Sequence, residues 1–329
     1  MIIAFICIVL IFNTMETISI HRPKIVVIGS CNTDMVVKAN RLPVPGETIL
    51  GGTFYMNPGG KGANQAIAAA RLGAEVTFIS KIGYDLFGLQ ALEIYRSEKI
   101  NTEYIFTDQK SPSGVALISV DSFGENSIIV APGASRSLSI EDINKAEEKI
   151  KEADIILMQL EIPIDTVEYA ATIACKYGKK VILNPAPASS LSNSFLKNVH
   201  TILPNRIEAE MLSGIKVMNI ESAHRAAQAI GEKGIENVVI TLGKDGAYVK
   251  EKDEYTMIPA KEVETIDTTG AGDAFIGSLL YQWAEDGVTT DSIADLTEDK
   301  LEEYLKKSNG YCAKSVLENG AIASYPTSL

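Results

Sequence analysis

Short, almost wholly apolar runs recur along this chain, each followed by a longer stretch with helical spacing. The first run is Lys24-Ile25-Val26-Val27-Ile28-Gly29, and others occupy residues 76–80, 155–160, 181–183, 201–203 and 238–242. A continuous apolar run of this length suits a strand buried on both faces, as in a parallel sheet covered by helices. Helical patterns fill residues 62–72, 86–99, 140–151, 166–177 and 223–233, and Gly73, Gly178 and Gly234 stop three of them. Glycine just past the last turn is a helix stop, because it accepts the left-handed conformation found there. The alternation predicts an α/β fold with a doubly wound, mainly parallel sheet flanked by helices.

Two segments break that rhythm. Residues 35–56 carry Pro43, Pro45 and Gly46 among short β-prone pieces, and residues 113–131 alternate polar and apolar side chains about a turn at Asp121-Ser122-Phe123-Gly124-Glu125-Asn126. The second reads as a hairpin, and the two together as a small accessory sheet. Such a sheet is either a lid over a ligand cleft or an edge decoration, and pattern alone supports both. Its exposed edge gives a second copy of the chain a place to pair, so a homodimer through the lid sheet is expected. The α/β domain is expected over residues 24–329, after an N-terminal extension of residues 1–23. Residues 1–12 are apolar and uncharged, too short to span a bilayer and without the basic start of a secretory signal. Met15 offers an alternative start. A cytoplasmic protein is expected, with a secretory or anchor segment as the alternative.

The chain has 42 acidic against 30 basic residues, a formal net charge of −12. Nucleic acid is therefore an unsuitable partner, since nothing is in surplus to neutralise its phosphates. Cys7, Cys31, Cys175 and Cys312 are far apart in sequence and read as reduced thiols, not a disulfide frame or zinc site.

The chemistry gathers in four places. Asp267-Thr268-Thr269-Gly270-Ala271-Gly272-Asp273 opens an apolar helix. Its bare backbone at a helix N-terminus suits an anion such as a transferring phosphoryl group. Asp273 in that first turn is either a helix cap or a base for an attacking hydroxyl. Asn57-Pro58-Gly59-Gly60-Lys61-Gly62-Ala63-Asn64-Gln65-Ala66 is a glycine-rich turn into an alanine-rich helix, without P-loop or dinucleotide spacing. Lys61 and Asn64 there offer donors suited to a polyhydroxylated ligand. Asn32 and Asp34, just beyond the first strand, and Glu161, ending the run 155–160, sit where open α/β sheets bind ligands; an ordinary Asx turn is the alternative for the first two. Asn205 and Glu208 read either as a capping box or as oxygen ligands near a hydrated Mg²⁺. Thr241-Leu242-Gly243-Lys244-Asp245-Gly246 shapes a nucleotide pocket or simply turns.

Taken together, Gly59-Gly60-Lys61-Gly62-Ala63-Asn64-Gln65, Asn205-x-x-Glu208, Thr241-x-Gly243-x-x-Gly246 and Asp267-Thr268-x-Gly270-Ala271-Gly272-Asp273 resemble the motifs of the ribokinase family of sugar and nucleoside kinases. The match runs from about residue 25 to residue 326. The resemblance implies ATP-dependent phosphorylation of D-ribose at O5, giving D-ribose 5-phosphate and ADP. It implies that Asn32, Asp34, Gly60, Lys61, Asn64, Glu161 and Asp273 hold ribose, with Asp273 as base and Gly270, Ala271 and Gly272 as the anion hole. Asn205, Thr241, Gly243, Gly246, Gly272 and Asn309 fall to the nucleotide, and Asn205 and Glu208 to the Mg²⁺ region. An activating K⁺ is implied at Asp267, Thr269, Ser315, Glu318, Gly320 and Ser324, several through main-chain carbonyls. Glu318 departs from the family pattern, where many members carry a basic residue. Alternatives within the fold are a kinase for deoxyribose, fructose or adenosine, or a non-catalytic sugar-binding paralogue.

Overall fold

A computed structural model describes residues 23–179, 181–251, 254–287 and 298–329; the expected extension therefore lies outside the described residues, save Pro23. The first strand, β1 (Lys24–Ile28), shows why the chain forms a three-layer sandwich. Ile25 and Val27 point into one buried cluster and Val26 and Ile28 into another, on the opposite face of the same sheet. A strand with apolar residues at every position can be stable only if both faces are covered.

Two sheets form among the described residues. The small one takes β2 (Asn32–Lys38) and β3 (Thr53–Gly59), then β6 (Gly114–Val120) and β7 (Asn126–Ala131), in the order β3-β2-β6-β7. The large one takes β4 (Glu75–Gly83), β5 (Ile105–Asp108), β8 (Ile155–Met158), β9 (Val181–Leu183), β10 (Val199–Ile202), β11 (Asn237–Thr241), β12 (Ala247–Glu251) and β13 (Glu254–Ile258). Around β1 their order is β13-β12-β11-β10-β9-β8-β1-β4-β5. Pairing is parallel from β5 to β11 and antiparallel for β12 and β13.

The chain leaves β1 towards β4 and β5 and later returns on the other side through β8. The strand order thus reverses beside β1, the place where an open α/β sheet leaves a crevice at its strand ends. Both excursions into the small sheet depart near this crevice. The hairpin expected over 113–131 is β6–β7, paired from Val115–Ala131 to Val120–Asn126. Contrary to the turn reading, Asn32 and Asp34 lie on β2, which runs parallel to β6 and antiparallel to β3. The helix expected over 140–151 is two short helices, Ile140–Lys145 and Glu147–Glu152, meeting at Ala146. The first is tightened by a capping box between Ser139 and Asp142.

Two helices bear directly on the crevice and are labelled α1 (Lys61–Leu72) and α2 (Ala271–Glu285). They pack side by side on one face of the large sheet, and small residues let them lie close. A Cβ added at Gly277 of α2 would stand 2.5 Å from Ala68 Cβ and 2.9 Å from the Gln65 carbonyl oxygen. Both are backbone or rigid methyl, so neither can swing aside. We predict that Gly277→Val costs about 1–3 kcal/mol of stability through overpacking, read in denaturant unfolding. Activity at temperatures where the variant is folded should fall as well, because the same contact sets the distance between residues 64–65 and Asp273.

Candidate active site

The helix α2 begins at Gly270, whose φ of 73° places it in the left-handed region. A side chain there would also meet Ala321 Cβ and the Tyr325 hydroxyl, each at 2.5 Å. Tyr325 donates that hydroxyl to the Gly270 carbonyl at 2.9 Å. Arg71, from the end of α1, in turn holds the carbonyls of Ile322 and Tyr325. The turn is therefore braced from behind by the chain's last residues. In front it is open, since a Cβ on Gly272 would meet nothing within 4 Å. The first N–H groups of a helix have no partner inside it; that of Ala271 donates back to the Thr268 carbonyl at 3.2 Å, while bare Gly272 leaves the next one open to an anion.

Asp273 is the third residue of α2. It makes no capping hydrogen bond to its own helix. Instead Asn64 Nδ2 donates to Oδ2 and Gln65 Nε2 to Oδ1, both at 2.8 Å. The carboxyl group is only 8% exposed. Asn205 and Glu208 go the other way. Asn205 Oδ1 accepts from the N–H groups of Ile207 and Glu208, while Glu208 Oε2 accepts from the Asn205 N–H at 2.8 Å. That is a complete capping box at the helix Arg206–Ser213.

Around the end of β1 the backbone is packed tightly. Gly62 would bring a Cβ to 2.7 Å from the Ser30 carbonyl oxygen, so only glycine lets α1 start so near β1. Gly60 has φ 90° and lies against Cys31. Glu161 bridges the same place: its Oε2 accepts from Ser30 Oγ and from the Lys61 N–H at 3.0 Å. Asp34 reaches in from β2 over Gly59, where a Cβ would collide with its carboxylate.

Three carboxylates thus act on one ammonium, and two of them on Asp34 as well. Burial favours the neutral form of Lys61, yet the charges of Asp273, Glu161 and Glu208 outweigh it and hold the lysine above its ordinary value. Burial pushes Glu208 up. Burial, and then the negative charges of Glu161 and Asp273, push Asp34 up to about 6. Three amide oxygens in this region, Asn32 Oδ1, Asn64 Oδ1 and Gln159 Oε1, are buried without a partner. Asn32 and Asn64 thereby offer acceptors that hydroxyl groups would satisfy.

Two cavities meet at the turn 267–272. One of about 650 Å³ lies under the small sheet and is lined by Asp34, Lys38, Tyr55, Asn57, Asp267 and Gly320, among others. The other, of about 850 Å³, is lined by Thr241, Gly243, Gly246, Gly272 and Asn309. Thr265 and Thr268 border both. All five of the last-named site residues were expected from the sequence. Gly246 (φ 99°) is forced by the Ile258 carbonyl, 2.0 Å from where a Cβ would stand. Asn309 donates to the Pro259 carbonyl at 3.0 Å.

Of the expected cation residues, Asp267 is the hub. Its Oδ1 accepts from the Thr269 N–H and hydroxyl, and its Oδ2 from the Gly320 N–H. These bonds hold its carboxyl low against the opposing effect of burial. The N–H groups of Ile266 and Asp267 donate to Val316, next to Ser315. Ser315 and Ser324 are buried and donate to the carbonyls of Cys312 and Ala321. Glu318 is exposed, two residues before Gly320. Among the described residues no three His, Cys, Asp or Glu side chains are arranged to chelate a metal, and no helix is long and apolar enough to cross a membrane.

Sequence reasoning missed the layer behind Asp273. Gln65, Gln159 and Asn184 are buried there and join one another by side-chain hydrogen bonds. The available signal was Gln65, a polar residue in an alanine-rich helix.

A glycine-floored anion turn, a carboxylate beside it and a cavity on either side are the parts of a phosphoryl-transfer enzyme, and the family comparison agrees. The pfkB family of carbohydrate kinases matches residues 22–328, and the chain belongs to it. It is a sugar kinase of the ribokinase type. A ribokinase of Haemophilus influenzae is 42% identical over 306 residues, covering 93% of this chain and 96% of that one. A deoxyribokinase of Salmonella typhi is 37% identical over 304 residues, covering 92% and 95%. A structure of Arabidopsis thaliana ribokinase complexed with ribose and ATP superposes with a TM-score of 0.80 at 29% identity, covering 93% of this chain and 96% of that one.

Asp34 gives the site a pH signature. Its folded value of about 6 lies above the ordinary 3.8, so the anion is what the fold disfavours. Stability therefore falls as pH rises through the window from about 4 to 6 and stays lower above it. Asp34→Asn is predicted to unfold about 2 kcal/mol harder than the parent at pH 8 and no harder at pH 4. Sugar kcat/KM in the parent should drop below about pH 6, where the acceptor is protonated. The variant should be weak at all pH values and lack that limb. A limb of the same position in Asp34→Asn would refute the assignment.

Proposed function

We propose that the protein phosphorylates D-ribose at O5, converting ATP and ribose to ADP and D-ribose 5-phosphate. The observation that carries this reading is Asp273: buried, bypassing its own helix cap, and adjacent to an anion-ready helix N-terminus. In the proposed reaction ribose lies against Asn32, Asp34, Gly60, Lys61, Asn64 and Glu161. Carboxylates accept from sugar hydroxyls, while Lys61 and the Asn64 amide donate. ATP occupies the cavity lined by Thr241, Gly243, Gly246 and Asn309, its γ-phosphoryl at Gly270, Ala271 and Gly272. Asp273 takes the proton of the 5-hydroxyl as the oxygen attacks phosphorus. The O–P bond to the sugar forms, the bond to the β-phosphate oxygen breaks, and ADP leaves. Positioning and preorganised N–H donors supply most of the acceleration.

The likeness to a ribokinase supports ribose, and the likeness to a deoxyribokinase keeps 2-deoxyribose as the rival acceptor. The donor set fits a hydrated Mg²⁺ without direct chelation. Both Glu208 oxygens already accept a bond from Asn205, and each retains a lone pair for a metal-bound water. Such an ion would neutralise charge on the β- and γ-phosphates. A K⁺ would sit at the Asp267, Thr269, Ser315, Gly320 and Ser324 segments, whose carbonyl oxygens suit a hard monovalent cation. We further propose that the small sheet is a lid on residues 35–56 and 113–131 that excludes water when it closes. Its outer face exposes Val37, Phe54, Met56, Leu117 and Ile129, apolar area that a second copy of the chain would cover. The N-terminal residues aside, the reaction is assigned to the cytoplasm, where ATP is supplied.

Asp273→Asn should lower kcat by about 10²–10⁴-fold while leaving the KM for ATP within a small factor. A coupled ADP-release assay across ribose, 2-deoxyribose, fructose and adenosine, with and without Mg²⁺ and K⁺, tests the rest. Ribose should show the highest kcat/KM, and chelation of divalent ions should abolish turnover. Near-normal kcat in Asp273→Asn refutes the base, whereas preference for 2-deoxyribose refutes only the acceptor.

A further inference from the structure

The amide layer behind Asp273 has a fixed polarity, and that polarity is written by a backbone carbonyl. Asn184 Nδ2 lies 2.9 Å from the Leu203 carbonyl oxygen. A carbonyl only accepts, so the Asn184 amide must turn its nitrogen that way and its Oδ1 towards Gln65. Oδ1 likewise only accepts, so Gln65 must present its nitrogen, and Nε2 stands 3.0 Å away. The second hydrogen of that same Nε2 then points at Asp273 Oδ1, at 2.8 Å. On the other side, Gln65 Oε1 receives Gln159 Nε2 at 2.6 Å. Gln65 and Gln159 are 0% exposed, so no solvent competes for these bonds.

We propose that Gln65 and Asn184 are positioning residues for the phosphoryl transfer. They orient the Asp273 carboxylate and direct the incoming proton to its other oxygen. This rests on Asp273 being the base. Every hydrogen and the Oε1 of the Gln65 amide are committed, so Oδ1 carries a fixed donor throughout the cycle. Oδ2 is held only by Asn64, whose own Oδ1 is buried without a partner and which is free to reorganise when hydroxyl groups arrive. The proton from the sugar is therefore accepted at Oδ2. The charged and titratable groups facing Asp273 are Lys61 on α1, Asp34 on β2, Glu208 at its capping box and Tyr325 of the C-terminal segment. None is altered by substitutions at 65 or 184.

The test is kcat and the KM values for ribose and ATP in Gln65→Leu, Asn184→Leu and the double variant, at saturating Mg²⁺. Asn184 makes no bond to Asp273, so it can affect the base only through Gln65. Each single variant should lose up to about 100-fold in kcat through misplacement of the base. The KM values for ribose and ATP should stay within a small factor of the parent's. The double variant should be no slower than the slower single one, because the two act in series. Where Gln65→Leu folds poorly, Asn184→Leu alone decides the matter through its split between kcat and KM. An unchanged kcat in folded variants, a loss that falls on KM instead, or losses that multiply in the double variant overturn the proposal. If Asp273→Asn is near-normal in kcat, the base reading falls first; if only the Gln65 and Asn184 variants are silent, the positioning role falls alone.

Discussion

How closely two helices can lie together governs the centre of this molecule. Donors on α1 and the carboxylate of Asp273 on α2 meet at 2.8 Å, and no loop adjusts that distance. It is set by Gly277 seated on Ala68 and on the carbonyl of Gln65 itself. A side-chain amide and the backbone that carries it are thus held from the same side. Close packing of this kind transmits small displacements without absorbing them. It makes the geometry of the site a property of the core, although its reacting atoms face a cleft.

Charge is distributed unevenly across the site. Glu161 and Asp273 act on both Asp34 and Lys61: burial and then these two charges raise Asp34, and the same two with Glu208 hold Lys61 up against its burial. Such a cluster costs stability in the empty protein. It suits a ligand whose hydroxyls supply many donors and no charge. At the start of α2 positive potential comes from backbone N–H groups, which need no counter-charge and cannot be titrated. In the proposed reaction, the remaining negative charge of the nucleotide is left to cations from solution.

Much of this architecture was legible in the sequence, and the failures have physical causes. Continuous apolar runs located β1, β4, β8, β9, β10 and β11, because burial on both faces leaves no other composition. The strands β5, β12 and β13 were missed; β12 and β13 pair antiparallel at the sheet's edge. Asn32 and Asp34 looked like a turn because polar residues follow glycine there; pairing with β3 and β6 overrides that local preference. Asn205-x-x-Glu208 and Asp273 both carried a capping reading. Only tertiary contacts separate them: Asn205 and Glu208 bond each other, while Asp273 turns to Asn64 and Gln65. The residues that gather around the two cavities were largely legible as candidates, since glycine at a forced approach and polar side chains beside it have few structural excuses. Gln159 and Asn184 were not, because their meaning lies in partners distant along the chain.

Those distances carry a consequence for how the molecule comes into being. Asp273 is 209 residues from Asn64 and 208 from Gln65, and Glu161 is 131 from Ser30. Joining such remote segments restricts a large part of the unfolded chain before any contact repays the loss. Helices and the local hairpin β6–β7 have no such barrier. A refolding chain therefore acquires most of its regular structure first and its catalytic geometry afterwards, so recovered turnover reports the completion of folding where circular dichroism reports only its progress.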